Sequence, residues 1–409
     1  MSLTSAVRTV RLEQIADRPL LADLAGAPDP GAAYDALRSR WGNVAPVDLE
    51  PGLPAWLALG YDEVSTVLRN SAMYSRDSRD WRYERERLVA WRSPARAVVA
   101  QRDSALDRDG DEHRRLRSAL DDVLASLDER RVTRTVTVAC TSILDNLMSR
   151  GAGDLVAELA VDVPVRVLAE MFGMNPTDAR RMHTLTVAAR SGTDEAYQAS
   201  VDLENLLATF VAQKRAEPGD DLTSALVAHP DHVHDLEVMG AISLLFRTAH
   251  DAWVAWIATA LHRLFVDREL AAQLHGGRIS LDDALGQIAR TSPPLPHLQP
   301  RFVLNDGTLG GQAIAAGDAV VPAVAAANQD RAVQVADPWE QVDARFHLTW
   351  GVGAHACPAH RSAPLVTRLV VGHLVARLEN LELAVEPEQV VPVRSAWVRH
   401  PAELPVRRR

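Results

Sequence analysis

Residues 350–359 read Trp-Gly-Val-Gly-Ala-His-Ala-Cys-Pro-Ala, a glycine-rich loop that contains a single cysteine. Gly351 and Gly353 allow backbone conformations that other residues resist, so this loop can approach a flat cofactor closely. Cys357 comes next, and residues 360–378 then follow with the apolar pattern of a helix. A cysteine just before a helix meets exposed N–H groups and the positive end of the helix dipole. We therefore expect the pKa of the Cys357 thiol to be lowered, which favours the thiolate that binds metals.

Several chemistries can use a cysteine in such a loop. A zinc site would combine Cys357 with His355 and His360, but the chain has no second cysteine pair to close that site. Covalent attachment of a c-type heme needs two cysteines before a histidine, and only one stands here. A hydrolytic thiol needs a base and an orienting group that the sequence alone does not place. On these residues alone, a buried structural cysteine also stays open.

Composition limits the class of protein. The 409 residues are 47% hydrophobic and 24% charged, a balance typical of a folded globular protein with a large core. The net charge of -10 disfavours nucleic-acid binding, and the arginines of residues 76–92 are interleaved with acids. Only Cys140 and Cys357 are present, which excludes a disulfide framework and fits a reducing compartment. Because residues 1–14 lack a signal-peptide core and no apolar run would span a bilayer, we expect a cytoplasmic protein with no membrane partner.

Helical periodicity dominates the chain, as in Leu155–Phe172 and Leu203–Arg215. Strand-like segments are short, and no Gly/Ser-rich linker divides the chain. We therefore predict a mostly α (α+β) fold with small β-sheets, in one large domain over residues 1–409. The predicted strands lie near Ala55–Leu59, Arg301–Leu304, Val320–Val324 and within the tail Leu381–Val406.

The longest predicted helix runs from Asp235 to Val266 and is apolar nearly all round, so it should be buried centrally. Charges near the middle of such a helix are costly unless they are paired. Arg247 and Asp251 are four residues apart and can meet on one helical face. We therefore expect these two side chains to form an ion pair.

In order and along nearly the whole chain, these features resemble the cytochrome P450 superfamily. The family signature is an aromatic residue, Gly, any residue, Gly, any, a basic residue, any, Cys, any, then Gly or Ala. Residues 350–359 match it, with Trp350 where Phe is usual. The resemblance implies the P450 fold, with the long central helix over a heme b (iron protoporphyrin IX) whose iron is bound by Cys357. A thiolate ligand pushes electron density onto iron and favours O–O cleavage.

The resemblance also implies which side chains hold the heme. His113 and Arg117 are four residues apart within Asp111–Arg117, which looks like the family's heme-clamping helix. In the family such a pair binds the heme propionates, through charge-assisted hydrogen bonds. Arg301 and His355 match further propionate contacts. The full predicted cofactor-binding set is His113, Arg117, Arg301, His355, Ala249 and Gly351.

The central helix departs from the family pattern where oxygen is activated. That pattern is Ala or Gly, Gly, any residue, an acid and Thr, whereas residues 248–252 read Thr-Ala-His-Asp-Ala. The acid is kept as Asp251, but Ala252 replaces the hydroxyl that holds water and steadies bound dioxygen for protonation. Trp253 and Trp256 either add bulk at this face or pack in the core. The predicted catalytic residues are Asp251 and His250, which would supply protons through water, together with Ala252 and Thr248.

A second departure lies in residues 286–290. The family has Glu three residues before Arg, forming a buried ion pair with a later arginine, whereas this chain has Gln287 and Arg290. The position of the later arginine is occupied by Trp339 or Glu340. We hypothesise that Glu340 pairs with Arg290, since an unpaired buried arginine would cost several kcal/mol. This neighbourhood resembles an actinobacterial subgroup in which the motif is relaxed.

Three functions are compatible with these features. The first is a monooxygenase of secondary metabolism, which takes electrons from a ferredoxin reductase and a ferredoxin and inserts oxygen into a small natural product. Basic residues on the Cys357 face, such as Arg361 and Arg368, would receive the ferredoxin. The second is oxygen-independent or atypical heme-thiolate chemistry (cyclisation, C–C or C–N bond formation, nitrene-type group transfer), because Ala252 lacks a hydroxyl. The third is a non-catalytic heme- or ligand-binding protein.

The substrate pocket should have apolar walls with few polar groups. Its predicted lining comes from the loop before His113, from the segment after Arg290 and from the turn of the tail. These residues are Trp81, Trp91, Val98, Val99, Leu295, His297, Leu298 and Trp397.

Overall fold

A computed structural model of the protein describes residues 11–90, 93–190, 193, 195–333 and 347–409. Helices account for most of this length, as the periodicity predicts. In chain order they are α1 Leu21–Gly26, α2 Pro30–Trp41, α3 Tyr61–Arg69, α4 Arg82–Arg85, α5 Arg96–Val99, α6 Gly110–Ala125, α7 Glu129–Arg150, α8 Asp162–Phe172, α9 Pro176–Ala188, α10 Glu195–Ala216, α11 Leu222–Ala228, α12 Asp235–Val266, α13 Arg268–His275, α14 Leu281–Thr291, α15 Val324–Ala327 and α16 Ala363–Val375.

The strands of the described residues are short and form three sheets. They are β1 Val44–Asp48, β2 Pro54–Ala58, β3 Tyr74–Ser75, β4 Ala152–Asp154, β5 Arg301–Val303, β6 Gly307–Leu309, β7 Gln312–Ile314, β8 Ala319–Pro322, β9 Leu381–Leu383 and β10 Pro405–Arg408. The largest sheet has the order β1-β2-β8-β5-β3, and the others are β4-β10-β9 and β6-β7. Strands β2 and β8 run parallel, with Trp56 opposite Val320, and both are buried along their whole length. Burial on both faces explains their nearly continuous apolar sequences.

Helix α12 lies at the centre of the helical layer, with the bounds that the sequence predicts. It is apolar around most of its circumference and packs against α8, α10 and α16. At its first turn the Glu237 carboxylate accepts a hydrogen bond from the Val233 backbone N–H and pairs with Arg115 of α6. A carboxylate is favourable at this end of the helix dipole. The contact fixes the start of α12 against α6, the predicted heme-clamping helix.

The hydrophobic core is divided between helices and sheet. The helical part includes the fully buried side chains Leu144, Phe172, Leu261 and Val370. Burying a side chain of this size stabilises the fold by about 1.5–3 kcal/mol, so these helices are held mainly by apolar packing. The prediction of a mostly α (α+β) fold is confirmed. No helix in the described part of the chain is both long and apolar enough to cross a bilayer.

Candidate active site

The loop that carries Cys357 is built on two glycines with positive φ, Gly351 at 66° and Gly353 at 80°. A Cβ atom at Gly353 would lie 2.5 Å from the Leu68 carbonyl oxygen, so no larger residue fits there. The Cys357 backbone N–H donates to the Trp350 carbonyl at 2.8 Å and closes the loop. The loop is therefore held in one tight shape that brings Cys357 to the wall of a cavity.

This cavity, of about 240 Å³, lies between the Cys357 loop and α12. Thr248, Ala249 and Ala252 line it from α12, and Cys357 lines it from the loop. The two alanines leave room between helix and loop for a flat group. The cavity walls are otherwise mainly leucine, tryptophan and other apolar side chains, which is typical of a cofactor site.

The pKa of the Cys357 thiol differs from the expected one. Burial raises its pKa, although the backbone N–H of Ala359 and the charge of Arg117 act in the opposite direction. The predicted lowering was wrong because helix α16 begins only at Ala363, after a run of turns, so the helix end is not adjacent to the sulfur. The positive charge of a bound metal ion is what deprotonates a thiol in such a place.

His113 and Arg117 of α6 both line the 240 Å³ cavity and also brace the loop. The His113 ring lies 2.7 Å from the Ala105 carbonyl through Nδ1 and 3.2 Å from the Ala354 carbonyl through Nε2. Arg117 Nη1 donates to the carbonyls of Ala354 and Ala356, at 3.1 and 2.8 Å. The sequence predicted a cofactor role for this pair but not its hydrogen bonds to the Cys357 loop.

Arg301 at the start of β5 is almost completely buried, with 5% of its surface exposed. Burial lowers its pKa well below the usual value, and the charge of Arg76 adds to this effect. Among the residues that the structure describes, none accepts a hydrogen bond from the Nε–H of Arg301. A buried guanidinium with an unused donor is costly unless an anion meets it. The propionate of a heme would supply that anion, so the residues at this position fit the predicted cofactor.

His355 is held by a carboxylate that the sequence analysis missed. Its Nε2 lies 3.0 Å from Asp109 Oδ1, and Asp109 also accepts hydrogen bonds from the Ser75 hydroxyl and the Arg76 backbone N–H. Burial lowers the pKa of His355 to about 3, and the charge of Arg301 adds to this effect. Near pH 7 the imidazole is therefore neutral and orients towards the ionised Asp109. Its single N–H faces Asp109, so the predicted propionate contact would require a protonated ring.

On α12 the ion pair of Asp251 differs from the expected one. The partner is Arg190, just after α9, which donates to both carboxylate oxygens at 2.5 and 3.2 Å. Arg247, the expected partner, instead lines two cavities on the substrate side. The preference for Arg190 follows from geometry, because a side chain from a neighbouring element can face the carboxylate with both N–H groups.

The Asp251 carboxylate sits in a small polar network. Burial alone would raise its pKa, but the nearby His250 ring and the hydrogen bonds from Arg190 outweigh burial and hold the pKa well below its usual range. His250 Nδ1 lies 3.7 Å from Asp251 Oδ1, and the partly exposed His183 ring lies 4.3 Å from the His250 ring between centroids. The Thr248 hydroxyl donates to the Leu244 carbonyl at 2.7 Å, which is one turn back. A chain of titratable groups therefore runs from the surface to the centre of α12.

A second cavity of about 680 Å³ adjoins the first. Of the predicted substrate contacts, Val98, Leu295, His297, Leu298 and Trp397 line it. His297 is committed to the fold as well, since its ring lies 2.9 Å from the Tyr34 hydroxyl and 2.7 Å from the Ala396 carbonyl.

Trp81 requires a correction. Its side chain is fully buried and stacks on Phe302 at 5.7 Å between ring centroids, inside the core of the five-stranded sheet. It lines none of the three cavities described, because the short turn before it directs the indole into the sheet. Val99 is likewise buried in this core, and Trp91 lies outside the described residues.

Trp253 and Trp256 connect α12 to the rest of the site. The indole N–H groups donate to the carbonyls of Ala363 and Leu285, at 3.0 and 3.2 Å. Trp256 also meets the edge of Trp350, the unusual first residue of the loop, at 5.7 Å between centroids. Both tryptophans line the 240 Å³ cavity as well, so packing and cavity shape are set by the same side chains.

Asn328 connects the segment of the relaxed motif, residues 286–290, to the start of the Cys357 loop. Its amide donates to the Arg290 carbonyl and to the Thr349 hydroxyl, both at 3.0 Å, and its carbonyl accepts from the Leu348 backbone N–H at 2.8 Å. The side chain thus ties α14 to the start of the Cys357 loop. The hypothesised partner Glu340 lies outside the described residues, so its pairing with Arg290 stays a prediction.

Comparison with known proteins bears directly on this site. No family model matches the chain. It is 31% identical to nocardicin C N-oxygenase of Nocardia uniformis subsp. tsuyamanensis over 371 residues, 88% of this chain and 91% of that protein. It is 28% identical to cytochrome P450 monooxygenase PikC of Streptomyces venezuelae, over 93% of this chain and 91% of that protein. The structure of CYP154C4 from Streptomyces sp. W2061 is similar with a TM-score of 0.84 at 25% identity, over 96% of this chain and 98% of that one.

The fold and the Cys357 loop, with these relatives, define an oxidoreductase of the heme-thiolate class. The chain belongs to the cytochrome P450 family. Membership implies a heme, a small-molecule substrate and redox partners.

Proposed function

We propose that the chain is a monooxygenase of secondary metabolism, with a heme b bound through Cys357 in the 240 Å³ cavity. The observation that carries this proposal is that one cavity joins Cys357 to Ala249 and Ala252 of the central helix. A thiolate-bound heme, when present, activates dioxygen for insertion into an organic substrate. The other residues of the site would orient the heme and the substrate, shield them from water and supply protons.

The residues that would hold the heme lie on α6, at the start of β5 and in the Cys357 loop. His113 and Arg117 line the 240 Å³ cavity and Arg301 lines the adjoining 680 Å³ cavity, and all three would bind the heme propionates. His355 would contact a propionate only in its protonated form, because the one N–H of its neutral ring faces Asp109. Gly351 and Ala249 would let the loop and the helix approach the flat faces of the macrocycle.

Protons would reach the site through α12. Asp251 is ionised and bound to Arg190, and its neighbour His250 contacts His183 near the surface. Burial lowers the pKa of His183 to about 4, so its ring is neutral near pH 7 and would carry a proton only transiently. The substrate would lie in the 680 Å³ cavity, against Leu298 and other apolar side chains.

Electrons would enter from the face of Cys357. Arg361 and Arg368 are exposed there, and Arg368 lies 3.6 Å from Asp282. We assign the redox partners as a ferredoxin and its reductase, in the cytoplasm. An acidic ferredoxin would be drawn to such a basic surface, and the attraction would weaken as salt rises.

A second candidate function is favoured by the hydroxyl groups of α12. Ala252 has none, and the Thr248 hydroxyl is committed to the Leu244 carbonyl. The Thr248 hydroxyl can therefore only accept a hydrogen bond from a water molecule, and no hydroxyl at position 252 is present to hold one. Such a site would suit oxygen-independent chemistry, such as bond formation or group transfer from a substrate that carries its own leaving group.

The proposed function is tested by turnover and by spectroscopy. The reduced protein under carbon monoxide should give the red-shifted band of a thiolate-bound heme. Product formation with a surrogate ferredoxin and reductase should then require both dioxygen and reductant. Product that forms without either would contradict monooxygenation and support the second candidate, while the absence of the band would contradict both.

Replacing Arg301 by methionine should have opposite effects on heme binding and on the fold. Loss of a charge-assisted hydrogen bond worth about 1.5–3 kcal/mol should speed transfer of heme to apomyoglobin by roughly 10- to 100-fold. The heme-free protein should unfold at the same or a higher denaturant concentration, because a buried charge has been removed. Arg407→Met, at an exposed position of β10, is the control and should change neither quantity. Unchanged heme transfer would contradict the propionate contact.

A further inference from the structure

Three cavities follow one another along α12. The outer cavity, of about 850 Å³, is lined from this helix by Ser243, and the cavity of Cys357 is lined by Ala252. Between them lies the 680 Å³ cavity, which we call the inner cavity. Arg247 belongs to the outer and the inner cavity, and Thr248 belongs to the inner cavity and that of Cys357. A continuous path therefore runs along α12 from the outer cavity to Cys357.

The outer cavity is a built part of the fold. It lies between α10, α12 and residues 93–103. Gly240 of α12 packs directly against the Asp103 carbonyl, where a Cβ atom would collide with the oxygen. This contact holds the segment that contains Asp103 against the helix, so that the segment forms one wall of the cavity.

The spacing along α12 sets a minimum length for a molecule that uses the whole path. Ser243 and Ala252 are nine residues apart, which corresponds to about 13.5 Å along the helix axis. This is about the length of four residues of extended peptide. A compact molecule in the inner cavity would leave the outer cavity to water, whereas an elongated molecule would contact both.

The inner cavity offers an apolar surface because its polar groups are used within the fold. Both ring nitrogens of His297 are engaged, one by the Tyr34 hydroxyl and the other by the Ala396 carbonyl. The Ser395 hydroxyl accepts hydrogen bonds from two backbone N–H groups, and the Thr248 hydroxyl donates to a carbonyl. The side chains left to contact a substrate are mainly apolar, as are Val98, Leu295 and Leu298.

The outer cavity has a different wall, to which three helices each contribute a hydroxyl group. Thr186 lies on α9, Ser200 on α10 and Ser243 on α12. The Ser200 hydroxyl donates to the Ala196 carbonyl and can still accept a hydrogen bond from a ligand. Tyr197, whose surface is 56% exposed, adds an aromatic ring to the same wall. Hydroxyl groups beside an aromatic face suit a ligand that is polar at its edges and apolar on one side.

The charged side chains of this wall are already engaged. Arg190 binds Asp251 through both carboxylate oxygens, and Asp103 pairs with Arg108 at 2.5 Å. Arg96 lies 3.5 Å from Glu84, and the other arginines that line the cavity, Arg102 and Arg247, also have partners. A charged ligand would have to separate existing pairs, which is costly. The wall therefore favours a neutral group that forms hydrogen bonds.

We propose that the substrate is an elongated amphiphile, whose apolar part fills the inner cavity and whose neutral, polyhydroxylated head group, such as a sugar, binds in the outer cavity. This inference rests on the proposed function, since it names the class of substrate for the same site. Because Ser243 and Ala252 are about 13.5 Å apart along α12, the carbon that is attacked lies at the apolar end, far from the head group.

The test varies the head group and the length on the heme-loaded protein. A series of ω-phenylalkyl β-D-glucosides, with linkers of two to eight carbons, is compared with the methyl ethers of the same phenylalkanols by equilibrium dialysis. The heme spectrum is recorded in parallel. We expect the longer glucosides to bind about tenfold or more tightly than their methyl ethers, which corresponds to about 1.4 kcal/mol. The shortest pairs should bind alike, because a short molecule cannot occupy both cavities. The matching glucuronides, which add a carboxylate to the sugar, should bind no more tightly than the glucosides.

Variants locate the head group in the outer cavity. Ser243→Leu removes a hydroxyl and occupies part of this cavity, so it should abolish the preference for glucosides while the methyl ethers bind as before. Ser200→Leu, on the facing helix α10, gives a second position if Ser243→Leu fails to fold, and it should weaken the same preference. Ser142→Leu, at an exposed position of α7, is the matched control and should leave the preference intact.

The proposal is overturned if no glucoside binds more tightly than its methyl ether, including the case in which none binds. It is also overturned if the preference does not depend on linker length, if the glucuronides bind more tightly than the glucosides, or if the preference survives in a folded Ser243→Leu protein. Dialysis does not depend on turnover. A protein with the length-dependent preference but without the carbon monoxide band would therefore contradict the proposed function alone.

Discussion

Replacing Cys357 by serine should abolish the red-shifted carbon monoxide band and reduce product formation to background. Cys357 is the residue of its loop that brings a sulfur to the cavity below α12, and a serine oxygen cannot replace a soft, electron-donating thiolate. The fold should survive, because the loop is closed by backbone hydrogen bonds and by the carbonyl contacts of Arg117. The free energy of unfolding of the heme-free protein should change by about 1 kcal/mol or less.

Cys140 provides the control for this experiment. It is fully buried in α7, and burial raises its pKa to about 12, so it has neither access nor charge for a ligand role. Cys140→Ala should cost roughly 1 kcal/mol of stability through a small cavity and leave the band intact. Retention of the band in Cys357→Ser, or its loss in Cys140→Ala, would contradict the assignment of the ligand.

The fold was largely predictable because its main elements are set by local patterns. Helix α12 begins and ends where its continuous apolar run does, at Asp235 and Val266. The loop at 350–359 could be recognised because its shape depends on glycine at two positions with positive φ. In both cases nearby residues carry the information, so sequence periodicity and spacing are sufficient.

The site was less predictable wherever a partner comes from a distant segment. Spacing along α12 favoured Arg247 as the partner of Asp251. In the structure Arg190, just after α9, donates two hydrogen bonds to the Asp251 carboxylate. Asp109 and Asn328 carry no signal in the sequence, because their roles depend on which loops meet in space. Trp81 shows the reverse error, since an aromatic residue in the right loop is turned by its backbone into the sheet core.

The pairing of Asp251 with Arg190 instead of Arg247 determines how the carboxylate is held. With Arg190 bound to Asp251, the carboxylate is fixed by a residue outside α12. Arg247 lines both cavities on the substrate side of α12.

Replacing Asp251 by asparagine should slow product formation by about 10²- to 10⁴-fold, the range expected for loss of a general acid–base group. Asparagine has nearly the same size but cannot take up a proton, and it can accept only one of the two hydrogen bonds from Arg190. The carbon monoxide band should be unchanged, because Cys357 is not affected. The measurement is product formed per reductant consumed, together with the solvent deuterium isotope effect on kcat.

Variants of Asp251 and of Arg190 distinguish proton transfer from positioning of the carboxylate. In Asp251→Asn the solvent isotope effect should rise and reductant should be wasted, because the proton arrives late. Arg190→Gln leaves the Asp251 carboxylate in place but removes the ion pair that orients it. We therefore expect kcat to fall less, and the isotope effect to stay near that of the unaltered protein. Asp145→Asn, at an exposed position paired with Arg377, is the surface control and should change neither quantity. Equal isotope effects in Asp251→Asn and in the unaltered protein would show that protons reach the site by a route that does not use Asp251.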